Sequence, residues 1–219
     1  MHAIIGKNWF VILSELNSKK IYKIADVMGS DSDLKTLKPA IDILKEFGIK
    51  TEVCILSAHR TPIEMMEYAK NAESENIKVI IAGAGGAAHL PGMLASITCI
   101  PVIGVTVESK ALKGIDSLLS IVQMPAGIPV ATVAINGGQN AGLLAIEMIS
   151  LFDESIKKNL KEFRENLHSQ VRTKNSKLSN IGPDNYLQNK WTNIFLLGLV
   201  NKVFFFKVVN NFFKGIIQI

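Results

Sequence analysis

The chain has 219 residues, 48% of them hydrophobic and 20% charged. That suits one globular domain with a real core plus appendages, and it excludes a disordered chain. The net charge of +5 is uneven: residues 21–165 carry 14 Lys/Arg against 17 Asp/Glu, and residues 166–219 carry seven against one. A nucleic-acid binder concentrates its basic charge on the folded part, so that class is set aside.

In chain order, residues 1–20 form an extension whose apolar run Trp9–Leu13 is too short for a signal peptide and which lacks the Arg of a transit peptide. A cytoplasmic protein is expected. Ile21–Met28 is expected as a strand, followed by a helix on Leu34, Leu37, Ile41 and Leu44 that stops at Gly48. Thr51–Leu56 is a second strand and Pro62–Glu75 a second helix, with Pro at its start. Val79–Ala82, Pro101–Val105 and Val130–Ile135 are further strands. Helices are expected near Leu94–Ile97, over Ala111–Val122, and from about Asn140 to Phe152 with a possible run on to Leu167. Alternating strands and helices imply parallel strands with right-handed crossovers, hence an α/β three-layer α/β/α sandwich. The strands are near-continuous apolar runs, as expected when both faces are covered.

Asp26 breaks that pattern, because an unpaired carboxylate inside a strand is costly unless it faces a loop. Cys54 and Cys99 stand in apolar stretches without partners at metal-ligand spacing, and are expected as buried reduced thiols. From residue 168 the chain changes character. Arg172–Asn189 is polar and reads as a linker. Trp191–Ile219 has no acidic residue and holds six of the ten Phe. Lys202, Lys207 and Lys214 interrupt it, so it is not expected to span a membrane. It reads as a divergent or non-native extension.

Three loops follow strands and so converge on the carboxyl edge of the sheet, where ligands bind in open α/β folds. Gly29–Asp33 opens a helix, so its small residues and free amides suit an anion, while Ser and Asp there would equally serve as helix caps. Asp33 would repel a phosphate and better accepts from sugar hydroxyls. Ser57–Pro62 sets His59 beside Arg60, a proton carrier beside a fork for phosphate. Gly83–Gly92 is nearly all small or apolar and can lie flat against a planar ligand. Its glycine spacing is not the dinucleotide fingerprint, and no Walker lysine follows it. His89 is either a second acid/base group or a structural hydrogen-bonder.

These segments, Val27–Asp33, Ser57–Pro62 and Gly83–Gly92, together with Asp116–Pro125 and Gly127–Pro129, resemble the small-subunit phosphoribosylaminoimidazole carboxylase family, which includes the N5-carboxyaminoimidazole ribonucleotide mutases. The likeness runs from about Ile21 to Phe163. It implies a flavodoxin-like parallel sheet, a catalytic domain over residues 21–167, a homo-octamer, and an isomerase of purine biosynthesis. That enzyme moves a carboxylate from the exocyclic nitrogen of an aminoimidazole ribonucleotide to ring carbon C4. No metal and no cofactor are implied, and no nucleic-acid or membrane partner for the core. The resemblance makes His59 the catalytic proton carrier. It gives Ser30, Asp33, Ser57 and Arg60 to the ribose phosphate, and Ala84, Gly85, His89 and Leu90 to the base and carbon dioxide pocket. The segment Ala134–Gly142 is shorter than the usual family form. A direct carboxylase using free carbon dioxide is the nearest alternative. A non-catalytic nucleotide-binding module and a carboxylating enzyme of pincer-cofactor synthesis stand further off.

Overall fold

The computed structural model describes the backbone of residues 22–216 and the side chains of residues 22–188. The expected extension over residues 1–20 lies outside the described residues. Five strands form one sheet: β1 (Lys23–Met28), β2 (Lys50–Ile55), β3 (Ile77–Gly85), β4 (Val102–Val107) and β5 (Ala131–Val133). All pairings are parallel and the order is β2-β1-β3-β4-β5. The helices are α1 (Leu34–Glu46), α2 (Pro62–Asn71), α3 (Leu90–Ala95), α4 (Ile115–Val122), α5 (Gly138–Ser150) and α6 (Glu154–Ile216). A 3-10 turn, Asp31–Asp33, leads into α1. This is the three-layer, flavodoxin-like architecture the sequence implies.

One face of the sheet packs Ala25, Val27, Ile80 and Ala82 against Met65 and Ala69 of α2, Leu94 of α3 and Ile121 of α4. The other face carries α1 and α5. These two helices approach closely because α5 is small where they meet: a Cβ on Gly138 would sit 2.1 Å from the Thr36 carbonyl oxygen, and one on Gly142 would sit 2.4 Å from an Ile43 methyl. Burying these apolar faces is the main force holding the layers together.

Several boundaries move for physical reasons. The helix expected near Leu94 begins at Leu90, because Pro91 falls in the first turn, where a missing N–H costs nothing. The strand expected at Val79–Ala82 runs on through Gly85, so the first three residues of the glycine-rich segment are sheet. The helix expected from Ala111 begins at Ile115, since Lys113 and Gly114 both take positive φ, 54° and 89°. Helix α5 does not continue to Leu167. It stops at Ser150, and the Asp153 carboxylate accepts from the Ile156 N–H at 3.0 Å, which caps a new helix.

The stretch Arg172–Asn189, expected as a linker, carries helical backbone, with a non-helical break at Gly182 before Pro183. Polar sequence does not prevent a helix, and no Gly or Pro occurs between Glu154 and Ile181 to stop one. Among the described residues, no helix is long and apolar enough to cross a membrane. Cys99 is exposed and not buried, because Thr98–Cys99 lies in the turn that precedes β4; Cys54 is half-buried on the edge strand β2. Asp26 does not face a loop. It is fully buried in β1, level with Val53 and Ile81, and neither carboxylate oxygen has a hydrogen-bond partner.

Candidate active site

In a sheet of order 2-1-3-4-5, the chain leaves β1 toward one side and β3 toward the other, which opens a crevice at their carboxyl ends. A cavity of about 600 Å³ lies there. It takes residues from all three loops singled out in the sequence. Ser30 and Asp33 come from the β1 end, Ser57, His59 and Arg60 from the β2 end, and Ala84, Gly85, His89 and Leu90 from the β3 end. All nine expected site residues therefore share one cavity.

Arg60 ties the first two loops together. Its guanidinium donates to the Gly29 carbonyl at 2.6 Å and to the Ser57 hydroxyl at 3.1 Å. The loop carrying it is closed by Thr61, whose N–H donates to the Ser57 carbonyl and whose hydroxyl accepts from the Ser57 N–H at 2.9 Å. The fork is thereby held at the cavity wall instead of sweeping through solvent. Ser30 caps the 3-10 turn by accepting from the Ser32 N–H, so the capping role foreseen for this loop is real and coexists with its place at the cavity. Asp33 is buried, and that burial raises its carboxyl above the usual carboxylate range. Hydrogen bonds from Ser32 and Ser30 and the nearby Arg60 charge pull the other way.

Two imidazoles meet at the cavity wall. His59 Nε2 and His89 Nδ1 are 2.8 Å apart, with the rings edge to face at 81°. His89 stands immediately before α3, which fixes its backbone, and His59 projects from the Ser57–Thr61 turn. The glycine-rich loop is held from behind by α4. The buried Ser117 hydroxyl accepts from the Gly86 N–H at 2.7 Å, and the Ser120 hydroxyl donates to the Gly86 carbonyl at 3.2 Å. Gly86 has φ +68°, which glycine adopts without strain.

One part of the wall was not foreseen from sequence. Val107, Glu108, Ser109 and Lys110, at the end of β4, also line the cavity. Ser109 donates to Asp116 at 2.6 Å, and Asn136 donates to Glu108 at 3.0 Å. The available signal was positional: a loop leaving β4 at the carboxyl edge must come near the same crevice. Asn136 lies in the Ala134–Gly142 segment, so that segment serves to brace the Glu108 loop. Among the described residues no group of three or more His, Cys, Asp or Glu could hold a metal ion.

Fold and cavity together define a flavodoxin-like α/β protein with a hydrogen-bonded histidine pair and a guanidinium at the switch point of the sheet. Residues 23–170 match the AIR carboxylase family, and the chain belongs to that family. It is 56% identical over 168 residues to the N5-carboxyaminoimidazole ribonucleotide mutase of Thermotoga maritima, covering 77% of this chain and 98% of the relative. It is 52% identical over 164 residues to the phosphoribosylaminoimidazole carboxylase of Saccharomyces cerevisiae, covering 75% of this chain and 29% of that longer protein. The crystal structure of Treponema denticola PurE superposes with a TM-score of 0.66 at 30% identity, covering 71% of this chain and 98% of that one.

Proposed function

We propose that this protein is an N5-carboxyaminoimidazole ribonucleotide mutase of purine biosynthesis. The observation that carries the reading is the cavity itself: a hydrogen-bonded histidine pair, an anchored guanidinium and a wall of Gly and Ala meet at one crevice in a chain so close to a named mutase.

The chemistry asks for three things, and each has a candidate residue. The ribose phosphate needs a fork and hydroxyl donors, which Arg60, Ser30 and Ser57 supply; Asp33 accepts from sugar hydroxyls. The carbon dioxide released from the carbamate has to be kept from escaping. Ala84, Gly85 and Leu90 form an apolar surface on which recapture at C4 is favoured by proximity. After recapture C4 holds both hydrogen and carboxylate, and His59 takes that proton so that aromaticity returns. No metal or cofactor is assigned a step.

We assign the protein to the cytoplasm as a homo-octamer; assembly is supported by apolar side chains left exposed on several elements, Val53 and Ile55 on β2 and Ile115 and Leu119 on α4 among them. The catalytic domain is assigned to residues 21–167, and residues 168–219 are not required for the chemistry.

The test is turnover of freshly made carboxyaminoimidazole ribonucleotide without ATP, beside aminoimidazole ribonucleotide with bicarbonate. Fast turnover of the first at low bicarbonate, lost in His59→Asn, is the expected result. Turnover of the second alone would make the protein a direct carboxylase, the reading favoured by its fungal relative's name.

A further inference from the structure

The charged side chains that line the cavity are Asp33, Arg60, Glu108 and Lys110. All but the last are committed to groups of the protein. Arg60 donates to the Gly29 carbonyl and the Ser57 hydroxyl. Asp33 accepts from the Ser32 hydroxyl at 3.3 Å, and Glu108 accepts from the Asn136 amide at 3.0 Å. Lys110 is exposed and makes no hydrogen bond or ion pair among the described residues. Its backbone, by contrast, is held through the residues before it. The Glu108 N–H donates to Asn136 Oδ1 at 3.3 Å. The Ser109 hydroxyl donates to Asp116 at 2.6 Å and accepts from the Gly114 N–H at 3.2 Å. A fixed loop thus presents a free ammonium on a flexible stem at the cavity wall.

The strand order decides where that cation stands. Gly85 at the end of β3 lies level with Val107 of β4, and the Lys110 loop leaves from there. The loops carrying Ser30 and Arg60 leave β1 and β2, on the other side of β3. The Ala84–Gly85 floor therefore lies between the two cations. Strands β1 and β4 are two spacings apart, about 10 Å. A ligand that satisfies both cations carries an anion at each end and a flat body between them. Resting on the mutase reading above, we propose that Lys110 is a specificity-determining residue that binds the substrate's carboxylate while Arg60 binds its phosphate.

The carboxylate starts on the exocyclic nitrogen and finishes on C4, neighbouring positions on one edge of the imidazole ring. One ammonium on a flexible stem serves both without movement of its backbone. Lys110 forms no covalent bond and carries no proton in the reaction. Between the two carboxylated states the cavity holds aminoimidazole ribonucleotide and neutral carbon dioxide, and Lys110 then has no anion to meet. The cation therefore favours both carboxylated ribonucleotides over the bare one. Such binding, common to substrate and product, lowers KM without raising kcat. It also sets this protein apart from a direct carboxylase, whose ribonucleotide substrate has no carboxylate for a cation to meet.

The test uses the full chain and ligands that it cannot turn over: phosphoribosylimidazole-4-carboxylate, phosphoribosylimidazole and ribose 5-phosphate. The first two differ only in the carboxylate, and both lack the exocyclic nitrogen that the carbamate needs. In calorimetric titrations the wild type should bind the carboxylate more tightly than phosphoribosylimidazole. Lys110→Met keeps a long stem and removes the charge. It should weaken the carboxylate about 5- to 10-fold, between the worth of an exposed ion pair and that of a charged hydrogen bond, and leave the other two ligands unchanged. Lys110→Arg should recover most of that loss, and the loss should shrink at high salt. With carboxyaminoimidazole ribonucleotide, KM of Lys110→Met should rise by the same factor while kcat does not fall. Equal weakening of all the ligands would put Lys110 on the phosphate and overturn the proposal, and so would carboxylate binding that ignores Lys110→Met. A wild type that binds the carboxylate through Lys110 but turns over neither imidazole ribonucleotide removes the mutase reading and leaves the carboxylate site standing. Turnover of carboxyaminoimidazole ribonucleotide with no dependence on Lys110 removes the site and leaves the mutase.

Discussion

Asp26 shows how far a single side chain can set the behaviour of the protein. Burial with no partner pushes its carboxyl up to about 8, so it is held as a neutral acid below that pH. In the unfolded chain it ionises near the ordinary value of 3.8. Below that pH both states hold the proton and no penalty arises. Between there and about 8 the folded state holds a proton that the unfolded state has released, so stability falls as pH rises and levels off above the folded value. The full span is on the order of 5 kcal/mol. Asp26→Val, which suits a strand and removes the polar atoms, should raise the urea midpoint and flatten its change between pH 6 and 8.5; an unchanged slope would show that Asp26 is not the source.

Arg60 makes a second prediction at this scale. Arg60→Lys keeps the charge but cannot hold both the Gly29 carbonyl and the Ser57 hydroxyl. KM for the ribonucleotide should rise about 10-fold or more, on the scale of one charge-assisted hydrogen bond. Steady-state kinetics at saturating and limiting substrate will separate that rise from any change in kcat.

Helix α4 acts on the site without entering the cavity. Ser117 and Ser120 together satisfy both backbone groups of Gly86. Ser117→Ala leaves the half-buried Gly86 N–H without its partner, a cost of about 1 kcal/mol. The glycine-rich wall should loosen and kcat/KM should fall, with a smaller effect for Ser120→Ala, where only a carbonyl is lost.

The α1–α5 contact is the other element-scale test. Gly138→Ala drives a Cβ into the Thr36 carbonyl oxygen, which belongs to helix backbone and cannot rotate away. The expected loss is about 1–3 kcal/mol by overpacking, read as a lower denaturation midpoint. Gly48, at the turn after α1, has nothing within 4 Å of such a Cβ, so Gly48→Ala reports only the strain of its φ of +69°.

For the whole molecule the open questions are assembly and the C-terminal region. Ile115, Leu119 and Val122 make an exposed apolar stripe on α4, and Val53 and Ile55 do the same on the edge strand β2. Such surfaces are expected to be covered by other copies of the chain. Sedimentation should give a mass eight times that of the chain, and Leu119→Lys should shift it toward smaller species. A chain ending at Leu167 should keep turnover and assembly; loss of either would assign residues 168–219 a role in the active protein.

The sequence by itself determined the layer architecture and the site's three main loops. Alternating apolar runs and helical spacings carry that information locally, and Gly29–Asp33, Ser57–Pro62 and Gly83–Gly92 each announce themselves by composition. It also marked Asp26 as anomalous. The tertiary structure alone decided that Asp26 lies sealed between Val53 and Ile81, because burial depends on what α1 and α5 cover. It decided that Glu108–Lys110 line the cavity, because an ordinary-looking loop gains its role from the strand that carries it. It decided that His59 and His89, thirty positions apart, share one hydrogen bond. That contact arises from two separate crossovers ending on neighbouring parts of one sheet edge, a coincidence in space that no local pattern encodes.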